Sequence, residues 1–155
     1  DRFIQLLSSA HAKQFHTVPF AGSWTPAQTG DHVRKFLEGV AQVKDLPAAA
    51  AERYCDDFAE PLRLMFLNFD IKMKAPEFVQ PDSRPADKDI LIRKLSVASG
   101  KVLHLIQEED LTLLCKGFDF PTIGEMTRLE WIYFGIYHTE RHTHQLKNII
   151  GRLSL

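Results

Sequence analysis

The apolar residues of this chain recur at intervals of three and four along most of its length, and nowhere do they alternate convincingly as a half-buried strand requires. The class this predicts is all-α, a four- to five-helix bundle of the up-and-down type. Phe3, Leu6, Leu7 and Ala10 form the stripe of a first helix within Arg2 to Lys13. Phe15 to Ser23, with Pro19 and Gly22, reads as a connector. Thr25-Pro26-Ala27-Gln28 then supplies a capping threonine, a proline at the first helical position and a glutamine that can close a capping box. Val33, Phe36, Leu37, Val40 and Val43 continue that second helix to about Lys44, where Asp45-Leu46-Pro47 ends it.

The middle of the chain is less regular. Ala48 to Ala59 consists of good helix formers, and Pro61 permits a break before Leu62, Met65, Phe66 and Phe69, so the expectation is one kinked or broken helix. Ile71 to Pro85 carries Pro76, Pro81 and Pro85 without helical period and reads as an irregular surface excursion. Asp87 is placed to cap a fourth helix running to about Gln107, with Gly100 a weak point. Glu108 to Gly124 holds turn signals, and Thr127-Arg128-Leu129-Glu130 is a second capping box opening a last helix that reaches about Ile150. Phe36, Phe66, Phe69 and Phe134 read as packing.

Composition narrows the function. A chain of 155 residues fits one domain, taken here as residues 1–155. With 19 Lys and Arg against 20 Asp and Glu the net charge is −1, which supplies no basic surface for nucleic acid or for an anionic membrane. The longest apolar run, Trp131 to Tyr137, is far too short to span a bilayer. The chain opens on Asp1 with no visible signal peptide, and its 2 cysteines, Cys55 and Cys115, form no CxxC pair, so a reducing cytoplasm is expected. The odd number is 7 histidines.

The last helix holds His138 and His142 four residues apart, a spacing that projects two imidazoles from one face toward a shared metal. Seven randomly placed histidines would give roughly 0.3 such pairs per chain, so the pair alone is a weak signal. Trp131, Phe134, Gln145 and Ile149 share its stripe, which turns it inward. A third ligand must come from another helix. His32, beside the buried stripe of the second helix, is the candidate, with a hydrogen-bonded interface histidine as the alternative reading. His11, His16 and His104 lack a partner at helical spacing and His144 faces away from the pair, so surface or capping roles fit them. HExxH, CxxC, glycine-rich phosphate loops, GxSxG and the ExxH pairs of di-iron bundles are all absent, which leaves a mononuclear site as the metal option.

Taken together these residues resemble the DinB/YfiT-like metalloenzymes, whose bundles carry one histidine on an early helix and HxxxH on the last. The resembling segments are Trp24-Thr25-Pro26-Ala27-Gln28, Ala75-Pro76-Glu77-Phe78-Val79, Gly124-Glu125-Met126-Thr127 leading to Glu130-Trp131, and the tail in which His138, Arg141, His142 and Gln145 recur at family spacing. One departure stands out: Thr143-His144 occupies the place of the common Arg-Gly. The resemblance implies metal ligands at His32, His138 and His142, a zinc or nickel ion, and activity on a small molecule, either transfer with a low-molecular-weight thiol cosubstrate or hydrolysis. Gln145, one turn past His142, is placed to orient a ligand or bound water. The competing expectation is a non-catalytic helical module for binding or homodimerisation, with structural histidines or an incidental ion.

Overall fold

The structure, a computed structural model, describes residues 2–154. It has five α-helices, α1 (Arg2–Ser9), α2 (Pro26–Ala41), α3 (Ala59–Phe66), α4 (Lys88–Glu108) and α5 (Arg128–Leu153). α2 packs against α4 and α5, and α1 against the same two, so these four close a bundle; α3 lies outside it against α5. The expected stripes of α1, α2 and α5 face the interior, with Phe3, Leu7, Val33, Val40 and Ile149 buried, whereas α4 buries Leu91 and Leu95 of its apolar pattern but leaves Ile90, Leu103 and Ile106 exposed. Gly30 on α2 permits close approach, because a Cβ there would stand 2.8 Å from a Leu7 methyl and 3.0 Å from one of Leu91.

Both predicted capping boxes are present. The Thr25 hydroxyl accepts from the Gln28 amide while the Gln28 side chain accepts from the Thr25 amide. Thr127 and Glu130 exchange the same pair of bonds. Asp87 occupies the N-cap position of α4 without a side-chain cap bond, and its carboxylate lies instead 3.6 Å from His16. α1 is shorter than its pattern, giving way to a 3-10 turn at Ala12–Gln14.

The purely helical expectation needs correction in one region. A three-stranded antiparallel sheet in the order β1-β2-β3 joins β1 (Ala48–Ala49), β2 (Leu114–Phe120) and β3 (Gly124–Thr127). β2 escapes the alternation test because it is exposed from Lys116 to Asp119 and its register shifts between Leu114 and Asp119. Gly117, at φ 81°, sits within that irregularity, where a bulge needs a residue without Cβ strain.

The Ala48 to Ala59 segment is likewise not helical before Ala59. Ala48 and Ala49 pair with Cys115 and Leu114. Downstream, the fully buried Glu130 takes both Arg53 nitrogens at 2.6 and 2.8 Å and the Phe58 amide at 2.9 Å. These tertiary bonds outweigh local helix propensity, which amounts to at most about 1 kcal/mol per residue outside proline. Among the described residues no helix is long and apolar enough to cross a membrane.

Candidate metal centre

His32 enters the core on the second turn of α2, fixed in rotation by the Thr25 capping box. His138 and His142 come from adjacent turns of α5, the helix packed beside α2. The three side chains meet: His32 Nε2 lies 3.1 Å from Nε2 of His138 and 3.1 Å from Nε2 of His142. All three are buried, at 2%, 6% and 9% exposure, and their ligand atoms lie within 4.8 Å of one another. No other cluster of this kind occurs among the described residues.

The outer nitrogens fix the tautomers. A carbonyl oxygen only accepts, so His32 Nδ1–H donates to Val79 O at 2.7 Å, and His142 Nδ1–H donates to Gln145 Oε1 at 2.7 Å. In neutral imidazoles this leaves a lone pair on each Nε2. Two lone pairs 3.1 Å apart cannot hydrogen-bond to each other, so the pair calls for something positive between them. A pair of nitrogens bound to one zinc at about 2.05 Å subtends roughly 100° when 3.1 Å apart, near the tetrahedral value, and His32 makes such a pair with each of the other two. The donor set therefore fits a divalent cation.

Apolar and aromatic walls surround the cluster. The Phe36 ring stacks on His138 with centroids 3.7 Å apart, and Trp24 lies 4.9 Å from His32 and 6.2 Å from His142. Burial lowers the basicity of all three imidazoles. For His138, the neighbouring His142 and His32 add to the effect, and His142 is lowered to about 3. The site thus favours neutral imidazoles, the form that binds metal. His138 Nδ1 is buried with no hydrogen-bond partner.

The remaining histidines stay outside, as expected: His11, His16, His104 and His144 are exposed. His144 lies flat on Phe69, centroids 4.1 Å apart, and Phe69 is itself 44% exposed rather than core as its stripe predicts. Arg141, part of the closing motif, holds the end of α3 by donating to the carbonyls of Phe66, Asn68 and Ile71.

Sequence reading missed Val79, whose carbonyl orients His32, and Asp31 and Lys35, which bind the segment that carries it. Its only signal was the Ala75 to Val79 motif inside an apparent loop; the segment proves to hold a 3-10 turn at Glu77–Val79 with Val79 buried. Two surface clefts, one around Glu38, Asp45, Lys101 and His104 and one along Lys74 to Gln80, are lined by none of the three histidines.

A helical bundle with a buried three-histidine cluster between its second and last helices is the class of protein that this fold and site define. The model of the DinB superfamily matches residues 1–146, and the chain belongs to that superfamily. The solved four-helix bundle protein TT2238 is similar at 19% identity over 95% of this chain and 88% of that one, with a TM-score of 0.57, a likeness of fold. No curated protein matches the chain.

Proposed function

We propose that His32, His138 and His142 hold one divalent cation, zinc or nickel, in a metal-dependent enzyme acting on a small molecule. The observation that carries this reading is the convergence of three buried Nε2 atoms, two of them committed as lone-pair donors by Val79 O and Gln145 Oε1. Three protein nitrogens leave a coordination position for a further ligand, the pattern of catalytic rather than closed structural zinc. When bound, such an ion supplies Lewis acidity and favours the ionised form of a coordinated water or thiol. The chain's own contribution is to keep the imidazoles neutral by burial, to aim them through Val79 and Gln145, and to exclude bulk water on the Phe36 side. Thiol-dependent transfer and hydrolysis are the two reaction classes that family resemblance adds.

Elemental analysis of protein purified without a histidine tag, dialysed against zinc and then buffer, tests the site. The expected content is about one equivalent, lost in His138→Ala. A content below about a tenth of an equivalent, the same in both proteins, refutes it. The reaction is then assayed with a panel of small thiols and monochlorobimane. Rates above those of His32→Ala support the enzyme, and equal rates favour the second reading, a non-catalytic binding or dimerisation module. The exposed Tyr54, Leu64 and Phe78 side chains are what speak for that alternative.

A further inference from the structure

Residues 80–82 have no regular structure after the 3-10 turn that ends at Val79, yet the segment 79–82 is fastened to one face of α2 at several points. Val79 O accepts from His32 Nδ1. Gln80 O and Asp82 Oδ1 each accept from Lys35 Nζ at 2.8 Å. The Asp82 amide donates to Asp31 Oδ2 at 3.0 Å, and Lys35 Nζ stands 3.6 Å from the same oxygen. Asp31 Oδ1 is taken by Arg34 through Nε and Nη2 at 3.0 and 2.7 Å.

An Asp–Arg pair three residues apart is ordinary on a helix surface, where it stays solvated. Here Asp31 is only 3% exposed, and the backbone amide of Asp82 is bonded to its carboxylate. Asp31, His32 and Lys35 present adjacent side chains, so the bonds of Asp31 and Lys35 set where the Val79 carbonyl sits relative to the His32 ring. Ordering such a segment costs backbone conformational entropy, which these bonds must offset.

We propose that Asp31 and Lys35 are positioning residues for His32: they pin the 79–82 segment so that Val79 O holds the imidazole with its Nε2 lone pair aimed at His138 and His142. Where the outcome is read as metal affinity, the inference rests on the metal-centre reading above. Lys35 makes the test sharp, because positioning and simple electrostatics predict opposite signs. Its ammonium opposes positive charge on His32, so deleting that charge alone would tighten cation binding. Losing the pinned carbonyl would weaken it.

The experiment compares wild type with Lys35→Met, and with Asp31→Asn where that variant folds. Zinc affinity is measured by competition with a chromophoric chelator, and the His32 tautomer of the metal-free protein by long-range 1H–15N NMR, with circular dichroism as the check on folding. Positioning predicts zinc binding weakened roughly 10- to 100-fold in Lys35→Met, the range typical for loss of an outer-shell partner, together with a reduced Nδ1–H population at His32. Unchanged or tighter zinc binding by folded Lys35→Met overturns the inference. If wild type binds no zinc, the metal-centre reading fails and the tautomer decides alone: a wild-type Nδ1–H retained in full by Lys35→Met overturns the positioning role, and its loss sustains it.

Discussion

Lowering the pH on metal-stripped protein should expose the cost of holding imidazoles neutral. His142 has an ordinary value of 6.5 that burial first, and the neighbouring His32 second, bring down to about 3 in the fold. Below pH 6.5 the unfolded chain takes up a proton at this position while the folded chain does not, so stability falls with falling pH until about pH 3. Each pH unit well inside that window removes about 1.36 kcal/mol, so the loss from His142 alone reaches about 2 kcal/mol at pH 5. That is a large share of a total stability of about 5–15 kcal/mol. His138 and His32 are lowered too and act in the same direction.

The assay is urea unfolding followed by circular dichroism at pH 7, 6 and 5 in a chelator, comparing wild type with His142→Phe, which keeps a ring beside Trp24 and cannot titrate. Carboxylates such as Asp82 and Glu125 titrate in both proteins and cancel in the difference. The wild-type stability should fall more than the variant's by about 0.7 kcal/mol between pH 7 and 6 and by about 1.2 kcal/mol between pH 6 and 5, where the unfolded imidazole is mostly protonated. Equal falls would refute the claim that the fold suppresses protonation at this site.

Three further outcomes follow from particular contacts. Gln145→Leu deprives His142 Nδ1–H of its acceptor and should weaken zinc binding roughly 10- to 100-fold in a chelator competition, while unchanged affinity would deny Gln145 a role at the site. Glu130→Gln turns amide hydrogens toward one Arg53 N–H and one backbone N–H whichever way the group lies, since each carboxylate oxygen accepts from one of each. The expected loss is about 2–4 kcal/mol, a fall in Tm of about 5–12 °C by calorimetry, and a fall under about 2 °C would contradict it. Gly30→Ala should destabilise by about 1 kcal/mol, because its methyl meets the fully buried Leu7 and Leu91 and overpacking outweighs the gain in helix propensity, whereas Gly100→Ala, with nothing within 4 Å, should stabilise by about the same amount. A Gly30→Ala variant as stable as wild type or more so in urea unfolding would show that packing at Gly30 is not limiting.

Much of the bundle and the site was legible because the signals were local. The capping boxes at Thr25 and Thr127 lie within four consecutive residues each, and their bonds form within the helix they open. The four-residue spacing of His138 and His142 is a property of any helix. What escaped reading were bonds between distant segments: Glu130 drawing Arg53 and Phe58 out of a helical path, Lys116 N–H on Pro47 O, and the Val79 carbonyl on His32, 47 residues away. Phe69 shows the same limit from the other side, since its place on an apolar stripe could not reveal that α3 stops at Phe66.

The sequence by itself determined where the principal helices begin, which faces they bury and which two imidazoles share a face, because helical periodicity and capping are decided by neighbours a few residues apart. It determined His32 only as a candidate, through position and resemblance. The tertiary structure decided that His32 reaches the α5 pair, which ring nitrogens carry lone pairs, and that residues 79–82 are pinned rather than loose. It also decided that a small sheet replaces helix after Pro47. The physical reason is common to all of these: they depend on hydrogen bonds and burial between segments that only the packed chain brings together, and those energies exceed the local preferences a sequence displays.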